Sequence, residues 1–322
     1  GTRIVDGELT YGEFVQFWFY LAMFVAPIRD MGERYNVIQS AFASAERIFQ
    51  VLDTEPEIDA PEEPRALPYK RGMESVRFED VSFAYTPGRE VIEGVSFEIQ
   101  PGKTVAIVGA TGSGKSTLVS LLLRFHDPSK GIITHDGADL REYDPRAWRG
   151  RTGLVLQEDY LFAGTVRENL VMGREDVTEE SLARAIEMSS SKRVINKLAG
   201  GLEGEVAERG ATFSTGERQL LAIARALAAD PALVILDEAT ASVDSATEAF
   251  IEEATRNLLK GRSALVIAHR LSTIRRADEI LVLHHGQIRE RGNHSELLAM
   301  GGLYAKLHAL QFEGDSELPY KG

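Results

Sequence analysis

The stretch GATGSGKST, Gly109 to Thr117, constrains the architecture of this chain more than any other. It follows the apolar run TVAIV and leads into STLVSLLLRF, so the spacing GxxxxGK[ST] falls between an expected strand and an expected helix. Gly109, Gly112 and Gly114 let the main chain curl closely around phosphates, with Thr111 and Ser113 between them. Lys115 is placed to neutralise β- and γ-phosphate oxygens, Ser116 to offer a hydroxyl to Mg2+, and Thr117 closes the motif. Such a loop works only between a strand end and a helix N-terminus, so the chain around it must supply a sheet.

The flanking sequence supplies one. TVAIV, GLVLQ, ALVILD and ALVIAH are short, almost wholly apolar runs, which is how strands covered on both faces of a parallel sheet read. VRFEDVSFAY and VIEGVSFEI alternate instead, and their short connection predicts an antiparallel pair. The expected fold is therefore α/β over residues 76–312. Three of the apolar strands end on polar residues: Gln157, Asp237 and His269. Ligands of open α/β sheets lie beyond the carboxyl ends of the strands, so these three should converge on one nucleotide. Asp237 is expected to hold the Mg2+ shell with Ser116, and Glu238 to polarise the water that attacks the γ-phosphate. Tyr85, upstream of the loop, is placed to stack on the base.

Composition narrows the partners. With 36 basic against 49 acidic side chains, the net charge of −13 argues against a general nucleic-acid binder but not against a nucleotide ligand. There is no cysteine, hence no disulfide framework or thiolate metal site, and the seven histidines form no HExxH pair. At the front, FVQFWFYLAMFVAPI (Phe14 to Ile28) is nearly all apolar, and its flanks bring it near the roughly 20 residues that span a bilayer. Helical periodicity continues to Leu52, so residues 1–52 read either as a buried core helix or as a membrane helix running on into a cytosolic extension. Pro56, Pro61, Pro64 and Pro68 mark 53–75 as a linker, and 313–322 as a disordered tail.

Taken together, these motifs resemble the nucleotide-binding domain of ABC transporters over Val76 to about Leu310. The resemblance rests on Tyr85, the Walker A loop, Gln157, a signature-like turn at Phe213, Walker B with Glu238, SVD at Ser242 to Asp244, and His269. It implies ATP and Mg2+ as ligands, adds Gln157 to the Mg2+ shell, and gives Lys115, Gln157, Glu238 and His269 as the catalytic set. It also implies a head-to-tail dimer in which Ser214 and Gly216 of one chain, with Asp244, serve ATP held by the other. The leading helix, the extension ASAERIFQVLD and the loop GEVAERG resemble those of exporters. An exporter half needs six helices and one is visible, so the chain is expected to be the C-terminal part of a longer membrane protein with its nucleotide-binding domain in the cytoplasm.

The turn FSTGE departs from the family's LSGGQ: Phe213 replaces Leu, Thr215 the first Gly, and Glu217 the Gln. Thr215 brings a β-branched side chain where bare backbone would approach an oxyanion. Glu217 brings like charge, a repulsion of roughly 4 kcal/mol at about 4 Å and an effective dielectric near 20, less if it turns away into water. An intact Walker face beside an impaired signature resembles one half of an asymmetric heterodimeric exporter, so the expected partner is a different half-transporter with an intact signature, in contact with membrane lipid. A homodimer with a drifted signature is the alternative. Two other readings are a soluble ABC ATPase of DNA maintenance and a non-hydrolysing regulatory half. The first is disfavoured by the spacing of Lys115 and Ser214, only 99 positions apart, too few for a coiled-coil insertion, and the second by Glu238.

Overall fold

The computed structural model of the chain describes residues 10–67, 75–156, 160–238, 245–268 and 270–310. Two compact units lie on either side of the Glu57–Ile58 bond. The first is dominated by one 42-residue helix, α1 (Tyr11–Leu52). Thr10 and Glu13 close a reciprocal capping box at its start, and the helix runs on through Pro27. None of its residues is buried, and Phe17, Trp18, Phe19, Met23 and Phe24 are all exposed. Among the described residues, no helix is long and apolar enough to cross a membrane. The apolar run of α1 contains Gln16, Trp18 and Tyr20, whose amphipathic side chains lower its mean hydropathy.

The second unit is built on two sheets. One has six strands in the order β12 (Gln287–Gly292), β11 (Glu279–His284), β3 (Thr104–Val108), β10 (Ser263–Ile267), β9 (Leu233–Asp237) and β6 (Thr152–Val155). Its pairs are parallel except β11 with β12. The four apolar runs read as parallel strands are β3, β6, β9 and β10; the β11–β12 hairpin lies outside that set. The other sheet is antiparallel, in the order β2 (Ile92–Ile99), β1 (Val76–Phe83), β4 (Lys130–His135), β5 (Ala138–Asp139).

Strand period two explains why the central strands are apolar throughout. Val234 and Leu236 of β9 and Ala264 and Val266 of β10 enter one core, whereas Leu233, Ile235, Leu265 and Ile267 enter the other. The first core is closed by helices α4 (Val166–Val171), α5 (Glu179–Met188), α6 (Lys192–Ile195), α7 (Thr215–Ala228) and α8 (Ser245–Leu259). The second joins the antiparallel sheet to α2 (Lys115–Leu122) and α3 (Pro145–Gly150), with Trp148 fully buried and its indole N–H donating to Leu122 O at 2.7 Å. A two-stranded ribbon, β7 (Gly164–Thr165) with β8 (Glu205–Val206), leads to the turn before α7. Helices α9 (Leu271–Arg276), α10 (His294–Met300) and α11 (Leu303–His308) complete the unit. Residues 53–67 form turns and coil, and Arg65 ties this segment to the domain through its N–H to Glu142 O and its guanidinium to the Glu142 carboxylate.

Candidate functional site

The loop after β3 is a cradle whose shape depends on its glycines. A Cβ at Gly109 would collide with the carbonyl oxygen of Leu283 on the neighbouring β11. Gly112 and Gly114 adopt φ of 79° and 108°, a region that favours glycine, and a Cβ at Gly114 would fall 2.6 Å from Ile92 Cδ1. Gly114 is also the N-cap of α2 and offers no side chain, so the first N–H groups of that helix are left for an external acceptor. Ser113 Oγ is buried without a hydrogen-bond partner, a polar atom in want of a ligand. Ser116 is exposed and Thr117 buried.

Lys115 lies across this cradle, its ammonium donating to Gly109 O at 2.8 Å and Ala110 O at 3.0 Å. Burial pushes it below the usual lysine range, and the Asp237 carboxylate at the end of β9 pulls it partly back. The structure thus brings Lys115 and Asp237 into electrostatic contact although 122 positions separate them in the sequence. The hard oxygen donors Ser116 and Asp237, beside a phosphate-shaped loop, match the one or two protein ligands that Mg2+ accepts alongside substrate phosphates. Tyr85 is also drawn in: its hydroxyl donates to Thr117 Oγ1 at 3.4 Å, and its half-exposed ring stands edge-on to Phe83 and His126.

Glu238 follows Asp237 but turns elsewhere. Its side chain is 2% exposed, and its two carboxylate oxygens accept from Thr273 Oγ1 and, at 3.1 Å, from the Arg270 N–H. The carboxylate is therefore anchored to the segment around the start of α9, within a cavity of about 230 Å³ that Arg256 and Arg276 also line. Thr273 had not been singled out in the sequence. Gln157, His269 and Asp244 lie outside the described residues.

The turn before α7 is more ordered than its sequence suggests. Ser214 and Glu217 form a reciprocal capping box, with Glu217 N–H donating to Ser214 Oγ at 3.2 Å and Ser214 N–H to Glu217 Oε2 at 3.0 Å. The other oxygen, Oε1, meets the Lys197 ammonium at 2.7 Å. Against the desolvation that raises it, the bonds from Lys197 and Ser214 hold the Glu217 carboxyl below the usual range. The charge that Glu217 brings to this turn is paired, its carboxylate held by Ser214 and Lys197. Thr215 is tied down as well, its Oγ1 accepting from Arg218 Nη2 at 3.2 Å while Arg218 Nη1 donates to Phe213 O at 2.8 Å. Phe213 fills a buried apolar position, so its replacement of Leu is a packing change. Because Ser214 Oγ accepts within the box, its O–H proton and the N–H groups of Thr215 and Gly216 remain as donors at the helix start.

A phosphate loop on the central strand of such a sheet, followed by a helical subdomain and two carboxylates at a strand end, defines an ABC-type ATPase domain. The family model described as "ABC transporter" matches residues 92–241. Over these residues the chain carries the ATP-binding domain of the ABC transporter family. It is 46% identical over 307 residues to a "Fatty acid ABC transporter ATP-binding/permease protein" of Mycobacterium bovis, covering 95% of this chain and 48% of that one. It is 44% identical over 313 residues to an "ATP-dependent lipid A-core flippase" of Chromobacterium violaceum, covering 97% and 53%. Among solved structures, a bacterial Atm1-family ABC exporter with ATP bound matches with a TM-score of 0.76 and 36% identity, over 98% of this chain and 54% of that one. The chain spans about half the length of the curated relatives it matches.

Proposed function

We propose that this chain is the C-terminal part of an exporter half-transporter that hydrolyses ATP to drive a substrate across a membrane. The observation that carries the reading is the cradle itself: a glycine-shaped loop with an orphaned Ser113 hydroxyl and a desolvated Lys115 ammonium beside Asp237. Backbone N–H groups from Gly112 to Ser116 and the Lys115 ammonium bind and orient the ATP phosphates, and Tyr85 supplies an aromatic face for the base. Ser116 and Asp237, with Gln157, are the residues to hold Mg2+, which neutralises charge on the transferred phosphoryl group. Glu238 positions the attacking water, and His269 contacts the γ-phosphate.

The donors at the start of α7, with Asp244, serve ATP held by a partner's cradle, so that two nucleotides draw two such domains together. Helix α1 is the last membrane helix and its cytosolic extension, which fits its exposed aromatic side chains and the exporter relatives; the ATPase domain is then cytoplasmic. The expected partner is a second half-transporter of different sequence with an LSGGQ-type turn. The paired charge of Glu217 favours a second reading, a homodimer with two working turns, because the charge argument for an impaired signature loses its force once Lys197 is counted. For the cargo, the fatty-acid and lipid A-core relatives support an amphiphile, with a peptide as the other class. Reconstituted in proteoliposomes, the full-length transporter is expected to show Mg2+-dependent ATPase activity stimulated by a fatty acid, a glycolipid or a cationic amphiphile. No stimulation and no ATP-dependent movement of any of the three would overturn the exporter reading.

A further inference from the structure

Glu217 faces a physical contradiction. Its carboxylate caps α7, which is useful to the fold, but it also places a negative charge one turn from N–H groups read as phosphate donors. Lys197, 20 positions earlier and just beyond α6, is the group that meets this charge, at 2.7 Å. The arrangement divides the labour of the carboxylate: Oε2 is spent on Ser214 N–H and Oε1 on Lys197 Nζ. Arg218 adds a second cation over the same turn through Phe213 O and Thr215 Oγ1. With Lys197 in place the turn carries two cations against one carboxylate, and its potential is suited to an incoming phosphate.

We propose that Lys197 is a positioning residue for the composite ATP site: it compensates Glu217 so that the Ser214 turn accepts the γ-phosphate of ATP bound to the partner. Lys197 does not touch the phosphate; it acts through Glu217, holding that carboxylate in the capping box. The inference rests on the reading that the Ser214 turn faces a partner's nucleotide. The Lys197 side chain is largely exposed, so its replacement leaves the core intact.

The test is the MgATP concentration needed for half-maximal closure of the two ATPase domains in the assembled full-length transporter, followed by spin-label distances. Lys197→Met is expected to raise it about tenfold, since an uncompensated carboxylate then faces the phosphate. Glu217→Gln in the Lys197→Met background is expected to return it to within about twofold of wild type, because glutamine can keep the cap without the charge. A Lys197→Met variant that closes normally, while Ser214→Arg blocks closure, overturns the role of Lys197 but keeps the facing reading. A Lys197→Met defect that Glu217→Gln does not relieve overturns it too, by showing that Lys197 acts otherwise than through Glu217. Normal closure in both Lys197→Met and Ser214→Arg overturns the facing reading itself.

Discussion

Two of the helix N-termini described in this domain offer N–H donors to an outside ligand, and they are built in opposite ways. The start of α2 has a bare cap: Gly114 supplies no side chain, no acidic residue stands in the first turn, and a desolvated lysine crosses the loop. The start of α7 is filled in: Ser214 and Glu217 satisfy one another, Lys197 pairs the remaining charge, and Arg218 holds Thr215. A site that must wrap three phosphates of its own ligand depends on backbone shape, so glycine and one buried cation dominate. If, as proposed, the start of α7 meets a ligand carried by another chain, it needs a pre-formed, charge-tuned surface, and side chains can supply that without closing around the ligand.

The contrast predicts a graded series of effects. Lys115→Met should have the largest, lowering ATP affinity on the order of 100-fold, because a charged donor is lost in a desolvated place. The wild-type affinity should also weaken as pH rises through the lowered Lys115 value, and Lys115→Arg, which stays charged, should flatten that decline. Isothermal titration with ATP across pH checks both. Gly109→Ala should come next, destabilising the domain by at least about 2 kcal/mol in denaturant titration, since its Cβ meets the β11 backbone and not a movable side chain. At the other helix, Ser214→Ala should cost only about 1 kcal/mol, the loss of a cap, while leaving ATP affinity for the chain's own cradle unchanged. Equal costs at the two sites would erase the distinction between backbone-built and side-chain-built termini. The smallest effect is expected from Thr273→Val: a fall in kcat of about fivefold with KM for ATP unchanged, restored by Thr273→Ser, because the hydroxyl orients Glu238 without touching nucleotide.

Much of this was legible in the sequence, for identifiable reasons. The phosphate loop and the four central strands announce themselves locally, through glycine spacing and unbroken apolar runs. The β11–β12 hairpin is harder: EILVLH is as apolar as the other strands, but its antiparallel return partner QIRERG is an edge strand with polar character. The capping box was present in the spacing S-x-x-E from Ser214 to Glu217, and weighing Glu217 as charge alone hides it. Lys197 and Thr273 carry no local signal, since each acquires its role only when a separate segment folds against a carboxylate. The apolar front helix is legible as a helix, whereas a membrane role depends on the helices that would pack against it, which its own residues do not encode.

The central claim is that this cradle, with Glu238 beside it, turns ATP over. The most direct measurement compares ATP affinity and steady-state hydrolysis for wild-type and Glu238→Gln forms of the assembled full-length transporter. Retained affinity with hydrolysis reduced on the order of 100-fold or more is the predicted result. Brisk hydrolysis by Glu238→Gln would contradict it and remove Glu238 as the residue that activates water.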